Sequence, residues 1–470
     1  MKKVLLATML VLLFAGSAYA QATFSMTGDF WAEGKYWFNY NSAPDTDANY
    51  NDSSFGFYEQ DINLYPKITA GDTSLNFKLA ITDIYWGAAA ADGDENTKGN
   101  DASNDDNIAI ERAWVKHKFN DVLTVDVGLQ DGTQWGTTFG DDKTGRWRVK
   151  FVETTKLGAF GQVLEKITDN GAIGQNADDE NNDSDNYGLF YIGKVGNVFI
   201  KPLWFHVDTD GLLPGEDYLK RENFALAFNG DVGINFETEL NYNDYKLKWD
   251  TVAVKEHWKV WGYYLNLWKA MDSMTPGFVF AYGSFDKNAR NSFAGTSAAL
   301  TAQAAAATAA AAAVPLPYNA AQAAQVAALQ AGAASATTAA TSLNTISQFT
   351  AFDFDDDFNS TVILGDEFCW GGPGDDLQGM TMLKFYVDNI KTGMAPLTIS
   401  TYAAYVMSNQ EDTDYEDATA WELGVGANYK ITENLSYKPY AAYADMNYDV
   451  DGVDDPDAAY ILANALEFTF

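Results

Sequence analysis

Three basic side chains occupy alternate positions in a short stretch of the sequence. Arg146, Arg148 and Lys150 are separated by a tryptophan and a valine, and a phenylalanine follows. Successive side chains of an extended strand point to opposite faces, so the three cations would share one face and the apolar groups the other. A row of fixed cations beside water attracts anions and opposes other cations, which is the chemistry of a charged passage. The alternative interpretation is that these cations only neutralise acids inside a crowded lumen.

Nearby stretches add candidates for the same polar surface. Arg112 and Lys116 are separated by an even number of positions, which puts them on one face of a strand. Asp126 lies on the polar face of the alternating stretch 123–130. Together with the basic row, these residues could line a water-filled waist, where opposed charges order water and restrict passage to small polar solutes.

Residue types that carry covalent or metal chemistry are scarce and scattered. The three histidines, His117, His206 and His257, have no serine in a nucleophile motif beside them. Cys369 is the only cysteine, which excludes an internal disulfide and a CxxC metal site. We therefore expect no enzymatic activity, no cofactor and no dedicated metal site, apart from weak binding of divalent cations by acidic loops.

The amino-acid composition excludes some classes of protein. The chain of 470 residues holds 30 Lys and Arg against 65 Asp and Glu, a formal charge of −35. This acidic balance excludes a basic nucleic-acid-binding surface as the main function. Aromatic residues make up 14% of the chain, which excludes a disordered acidic protein, because such chains are poor in aromatics.

The first 20 residues have the pattern of a secretory leader. Lys2 and Lys3 precede an apolar stretch, and Ala18 and Ala20 provide small residues before a cut at Gln21. We expect residues 1–20 to be a cleaved signal peptide and residues 21–470 to be a single domain beyond the inner membrane. No later run of 18 apolar residues predicts a spanning helix.

The C-terminal stretch alternates strictly between two kinds of side chain. Tyr460, Leu462, Leu466, Phe468 and Phe470 fall on one face, and mostly small or polar residues fall on the other. The same period of two recurs at 75–82, 123–130, 234–243 and 421–429. Such stretches, with aromatics at their ends, are typical of strands that cross a membrane. A half-buried sheet in a soluble sandwich is the alternative.

Short polar turns alternate with longer polar stretches along the chain. The turns are expected at 70–73, 120–121, 154–156, 195–197, 230–231, 271–275, 388–392 and 432–434. This alternation predicts an all-β, transmembrane, antiparallel up-and-down barrel of about 18 strands. A barrel of about 16 strands is the alternative, because residues 156–194 and 249–285 have mixed patterns.

The longest of the polar stretches between turns contains an alanine-rich insertion, at residues 294–343. Alanine fills 25 of the 47 positions from 294 to 340, so we expect two helices, with Asn319 capping the second. The insertion is either a low-complexity expansion in an outer loop or a helical pair that covers or enters the pore. The other long loops carry most of the acidic excess.

The whole pattern resembles the general bacterial porins of the outer membrane. The resemblance rests on the alternating strands, the terminal Phe470 and the Gly-rich third long loop, residues 131–142, which ends in Asp141 and Asp142. It implies that this loop folds into the barrel and that the two acids face the basic residues of the wall. It also implies a homotrimer that contacts outer-membrane lipid and lipopolysaccharide.

We therefore expect a water-filled channel in the outer membrane for passive diffusion of ions and small hydrophilic solutes. Acidic loops at the mouth favour weak cation selectivity, whereas the basic row opposes it. A substrate-specific channel is the alternative, since the inward aromatics Trp31, Tyr402 and Tyr440 could stack on sugars. A non-conducting surface barrel or adhesin is the third hypothesis.

Overall fold

The computed structural model describes residues 22–39, 54–85, 108–131, 136–140, 145–168, 184–210, 218–249, 254–314, 319–354, 358, 360–364, 378–411, 413, 415–447, 455 and 457–470. These residues form eighteen β-strands and two α-helices. The strands are β1 (Thr23–Phe38), β2 (Phe55–Ala70), β3 (Thr73–Tyr85), β4 (Ala109–Lys118), β5 (Leu123–Asp131), β6 (Gly145–Thr155), β7 (Gly158–Thr168), β8 (Ser184–Val195), β9 (Val198–Asp210), β10 (Tyr218–Asp231), β11 (Asn235–Trp249), β12 (Val254–Trp268), β13 (Thr275–Gly283), β14 (Met380–Lys391), β15 (Leu397–Ser408), β16 (Thr419–Lys430), β17 (Leu435–Asn447) and β18 (Ala459–Thr469). The helices are α1 (Lys287–Ala312) and α2 (Ala320–Gln348), between β13 and β14.

All eighteen strands belong to one antiparallel sheet in which each strand pairs with its sequence neighbours. β1 also pairs with β18, from Asp29 opposite Thr469 to Phe38 opposite Tyr460, so the sheet closes on itself. Closure removes the unpaired edges that a lipid environment does not tolerate. The predicted antiparallel barrel is confirmed, and it has 18 strands rather than 16.

The barrel has two unlike ends, which we call the turn end and the loop end. At the turn end, eight connections of two to six residues join β2 to β3 and each later even-numbered strand to the next. The longest connection of the loop end joins β13 to β14. The turn after β14 comes later than predicted, at 392–396, because the register shifts between Val387 and Ile390 and Asn389 has a positive φ of 54°. This bulge adds length to the strand.

Burial alternates along the strands, so each has an outer and an inner face. On β16, Trp421, Leu423 and Val425 are exposed, whereas Glu422 and Gly424 between them are buried. Apolar side chains exposed on the outside of a closed barrel are those that lipid would cover. The outward directions expected from the sequence are therefore correct for this strand.

A row of directly opposed aromatic residues crosses the outer face from β9 to β12 near the loop end. Trp204 is opposite Phe224, Phe224 is opposite Tyr242, and Tyr242 is opposite Trp261. With its continuation around the barrel, this row forms what we call the aromatic girdle: Trp204, Phe224, Tyr242, Trp261, Tyr282, Trp421, Tyr443 and Tyr460. Aromatic side chains concentrate where a bilayer meets water, so the girdle marks the upper lipid boundary.

α1 and α2 form a helical hairpin that is longer than the predicted insertion. Asn319 caps α2 as expected: its side chain accepts from the backbone N–H of Gln322, and the Gln322 side chain accepts from the backbone N–H of Asn319. Asp286 caps α1 by accepting from the N–H of Ala289. Both helices therefore extend beyond their alanine-rich parts at the ends nearest the barrel.

The two ends of this hairpin have different surroundings. At its root, the Phe293 ring meets the inward-facing Trp258 edge-on at 5.2 Å, and Trp258 Nε1 donates to the carbonyl of Phe349 at 2.7 Å. Leu343 is fully buried in the same cluster. Farther out, a smaller cluster of buried alanines packs within the hairpin, and it consists of Ala304, Ala333 and Ala336. Neither described helix combines enough length and hydropathy to cross a membrane.

Candidate pore constriction

The basic row on β6 faces the lumen, as its alternation predicted. Trp147 between the cations is 61% exposed on the outer face, whereas Arg148 is buried. Arg148 forms an ion pair with Glu165, the residue directly opposite on β7. Arg146 lies one step nearer the loop end, opposite Gln130 of β5.

Two of the predicted lysines, Lys116 and Lys150, approach the carboxylate of a third predicted residue, Asp126. Lys150 Nζ lies 3.2 Å from Asp126 Oδ2, and Lys116 Nζ lies 3.9 Å from Asp126 Oδ1. The register explains this meeting, because Asp126 on β5 stands directly opposite both Lys116 on β4 and Lys150 on β6. Asp126 is buried, while Lys116 is half exposed to the lumen. The wall therefore carries cations that have acidic partners.

The remaining predicted residues lie near the loop end of the same wall or outside the described part of the chain. Arg112 on β4 donates from Nη1 to the carbonyl of Glu111 at 2.9 Å and packs over Gly145, where β6 begins. Asp141 and Asp142 are not among the described residues.

The described part of the third long loop, Gly136–Gly140, lies inside the barrel, and we call it the crossing segment. The backbone N–H and the hydroxyl of Thr137 donate to Glu239 Oε2 at 2.6 and 2.9 Å. Lys201 Nζ donates to the carbonyl of Gly136 at 3.3 Å. Glu239 is on the inner face of β11, which is six strands from β5 in the barrel, so the segment reaches a distant part of the wall.

The chain after α2 also folds inward, and we call its described residues 350–354, 358 and 360–364 the inner segment. Glu422, fully buried on the lumen face of β16, accepts from the backbone N–H groups of Val362 at 2.8 Å and of Leu364 at 2.8 Å. The N–H of Ile363 donates to both carboxylate oxygens at 3.1 Å, and the Tyr402 hydroxyl also donates to this carboxylate. Several converging donors satisfy a buried carboxylate, so this contact fixes the segment to the wall.

The two inward segments meet in an aromatic cluster. Phe139 of the crossing segment is fully buried. Its ring lies 5.2 Å from that of Phe352, 4.9 Å from that of Phe354 and 5.4 Å from that of Phe358, all of the inner segment. It also stacks on Tyr264 of the β12 wall at 5.6 Å. Apolar packing of this kind excludes water, so the segments close off lumen in front of β11 to β16.

A cavity of about 240 Å³ lies beside the aromatic cluster, toward the turn end. It is lined by Thr138, Tyr264, Asn266, Val279, Phe358, Ser360, Lys384, Tyr386 and Asp388. Lys384 Nζ lies 5.5 Å from the Tyr386 ring and 4.7 Å from the Tyr402 ring, and it donates to the carbonyl of Ser360. The cavity thus combines one cation and one carboxylate, Lys384 and Asp388, with phenolic hydroxyls and aromatic faces.

Sequence reasoning missed most of the residues that form these inward contacts. Phe352, Phe354 and Phe358 lie in an acidic stretch, and a block of like charge predicts a solvated loop. The three phenylalanines are separated by even numbers of positions, which puts them on one face of an extended chain, and this spacing was the available signal. Glu422 was recognisable as a single acid among glycines on the inner face of a strand, but its partners are distant in sequence.

The histidines pair with side chains on neighbouring strands. His117 Nδ1 is 2.8 Å from Thr73 Oγ1, His206 Nδ1 is 2.7 Å from Glu222 Oε1, and His257 Nε2 is 2.7 Å from Asp244 Oδ1. Within the described ranges, no group of three or more His, Cys, Asp and Glu side chains could hold a metal ion.

Comparison with known proteins identifies the fold. No family model and no curated protein matches the chain. Among solved structures, the outer membrane protein OpdK from Pseudomonas aeruginosa is 8% identical, with 95% of this chain and 99% of that chain covered at a TM-score of 0.50. OccAB3 of Acinetobacter baumannii is 11% identical, with 95% and 99% covered at a TM-score of 0.51.

A second structure of OpdK was determined with vanillate. It is 8% identical to this chain, with 95% of this chain and 98% of that chain covered at a TM-score of 0.51. At sequence identities this low, the structural likeness shows a common fold alone. The chain therefore has the closed 18-stranded fold of outer-membrane porins.

Proposed function

We propose that this chain is an outer-membrane channel that selects small polar solutes by means of a narrow path beside two inward segments. The observation that carries the proposal is the contact between Phe139 and the inner segment. This contact joins a loop that leaves β5 to a segment held on β16 by Glu422. A general pore needs an unobstructed waist, whereas a barrel filled in this way leaves a passage in which side-chain contacts decide what crosses.

The side chains available along such a passage suggest the class of solute. The wall from β4 to β6 offers Lys116 and Lys150 around Asp126, and the cavity beside Phe358 offers Lys384 next to two tyrosine rings. Cations beside aromatic faces favour small aromatic carboxylates. Vanillate, with which OpdK was determined, is therefore the first solute to test.

The test is to compare conductance and uptake for Phe139→Ala and a matched control. Phe385→Ala removes the same kind of ring from the outer face of β14, where it is 63% exposed. We expect Phe139→Ala to raise single-channel conductance in planar bilayers at least twofold and to weaken discrimination in liposome swelling, because the inward segments lose their central contact. Phe385→Ala should leave both unchanged.

The outcomes separate the three functional hypotheses. Saturable uptake of vanillate by the native protein would support a selective channel. Uptake that falls smoothly with solute size, for sugars and vanillate alike, would contradict it and support general diffusion. A native protein that inserts into bilayers and conducts no current would instead support a surface barrel.

General diffusion with weak cation preference is the second candidate function, and the observation in its favour is the acidic balance of −35. Acids concentrated at a channel mouth raise the local cation concentration within about a Debye length, roughly 8 Å at physiological salt.

We also propose that the chain is located in the outer membrane and that its leader is removed before Gln21. The leader pattern and the barrel fold support this location, and N-terminal sequencing of the membrane-extracted protein tests the cleavage.

We further propose that the chain assembles as a homotrimer. The trimer rests on family resemblance alone. The outward glycines of β1 do not require a neighbour, because Phe470 covers Gly28 and Tyr58 covers Gly34 within one chain. A native mass of three chains would support the trimer.

A further inference from the structure

The inner face of β7 to β9 is apolar, in contrast to the charged wall of β4 to β6 beside it. Val163 on β7 is buried, and Phe190, Leu203 and Phe205 on β8 and β9 are half-buried. Their inward direction follows from the alternation of the strands, since Leu189, next to Phe190, is 51% exposed on the outer face. We call Val163, Phe190, Leu203 and Phe205 the apolar shelf.

Two glycines allow the aromatic rings of the shelf to lie along the wall. Phe190 is directly opposite Gly161, and Phe205 is directly opposite Gly188. In each pair the ring covers the glycine so closely that no space remains for a Cβ atom. A ring that covers the neighbouring backbone in this way does not project into the lumen. Its free face is turned toward the lumen instead.

The shelf lies on the side of the lumen that the inward segments leave open. Those segments close off the lumen in front of β11 to β16, whereas the shelf is on β7 to β9. Lys201 marks the boundary between the two regions. It is the next inward residue after Leu203 on β9, and its Nζ donates to the carbonyl of Gly136 in the crossing segment at 3.3 Å. A solute that passes the open side of the crossing segment therefore moves in front of the shelf.

The shelf adjoins the charged wall at one of its edges. Val163 is directly opposite Lys150 of β6, and Lys150 Nζ lies 3.2 Å from Asp126 Oδ2. Because Asp126 offsets the charge of Lys150, charge is not the main contact that this part of the wall offers. What the shelf offers a solute is apolar area and the faces of two aromatic rings.

We propose that the apolar shelf binds the planar ring of a passing solute, so that the shape of the ring decides how readily the solute crosses. The solute class is a polar molecule that carries one flat aromatic ring, whatever its charge. A flat ring stacks on Phe190 or Phe205 with its whole face, whereas a puckered ring of the same size contacts them with only a few atoms. The inference rests on the proposed function and adds ring recognition by a wall that is separate from the cavity beside Phe358.

The experiment compares liposome uptake of phenyl β-glucoside with that of cyclohexyl β-glucoside. Both solutes are neutral and nearly equal in size, so neither charge nor sieving distinguishes them. We expect the native protein to take up the phenyl compound faster at low concentration, by about fivefold, because ring stacking contributes a gain in affinity of roughly that size.

Two double variants assign the preference to the shelf. Phe190→Leu/Phe205→Leu keeps apolar side chains on the wall and removes both ring faces, so it should take up the two glucosides at equal rates. The control is Phe160→Leu/Phe385→Leu, which removes two rings from the outer face, where they are 47% and 63% exposed. The control should keep the native preference. Heat-modifiable migration in SDS gels verifies that each variant is a folded barrel.

The outcomes separate this inference from the proposed function. A phenyl preference that persists in Phe190→Leu/Phe205→Leu would overturn the shelf as its source. Equal uptake of the two glucosides by a native protein that takes up vanillate saturably would overturn ring recognition and leave the selective channel standing. Uptake of all three solutes that falls only with size would overturn both.

Discussion

Glu422 is the residue on which the position of the inner segment depends most. Its carboxylate is fully buried and receives three consecutive backbone N–H groups and one phenol. Consecutive N–H groups that converge on one anion form a strong site, because each charge-assisted bond contributes roughly 1.5–3 kcal/mol. Without the carboxylate, these donors would remain buried without partners or the segment would leave the wall.

We expect Glu422→Leu to detach the inner segment and leave the barrel intact, since the strand pairing of β16 does not use this side chain. Conductance should rise, its open-channel noise should increase, and limited proteolysis should produce new cuts between residues 350 and 364. Glu422→Gln should give a smaller effect, because the amide keeps one acceptor oxygen.

The matched control is Glu467→Leu. Glu467 is a lumen-facing glutamate of β18 that pairs with Lys438 at 2.5 Å and is about one-third exposed. Its loss should leave the protease pattern unchanged. Equal cleavage in the two leucine variants would show that Glu422 has no special part in holding the segment.

At the scale of elements, the helical hairpin divides into a root that belongs to the barrel and a tip that does not. The tip alanines contact one another, whereas Phe293 and Leu343 of the root belong to the cluster that includes the lumen-facing wall of β11 and β12. The described contacts therefore distinguish a tip that packs on itself from a root that packs against the barrel wall.

This division makes a prediction for shortened chains. Replacing residues 304–336 with four glycines should leave conductance within about a fifth of the native value, because the removed helices pack on themselves. Leu343→Asp at the root, which buries an unpaired charge, should raise conductance by loosening the start of the inner segment. A large change after removal of the tip, measured in planar bilayers, would mean that the tip itself restricts the passage.

The elements were more predictable from the sequence than the contacts among them. Alternation at Arg146, Arg148 and Lys150 was enough to orient β6, because the period of a strand is a local property. The partner of Arg148 was not predictable, since Glu165 is set by the register of the next strand. Phe139 and Phe352 are still farther apart in sequence and meet only because two loops fold into the same lumen.

At the scale of the whole molecule, two charge distributions compete. The acidic excess lies mostly in the loops, and the basic residues of β4 to β6 lie inside the barrel. The field of a solvated acid is screened by salt, whereas the field of a partly buried row persists. Ionic strength can therefore distinguish which distribution controls ion preference.

We expect a reversal potential that indicates weak cation preference in dilute salt. The preference should decline as salt rises from about 0.1 M to about 1 M, because the Debye length falls from about 10 Å to about 3 Å. Lys150→Gln should strengthen the preference at both concentrations, since it leaves Asp126 with less positive charge nearby. Anion preference at every salt concentration would assign control to the basic row.

The seam between β1 and β18 has a consequence for how the chain folds. The paired residues Asp29 and Thr469 come from opposite ends of the sequence, so this contact carries the greatest loop-closure entropy of any in the barrel. Until it forms, the partly folded sheet has two open edges whose N–H and C=O groups can pair with another chain. Closure of this seam is thus the step that ends the risk of aggregation through open strand edges.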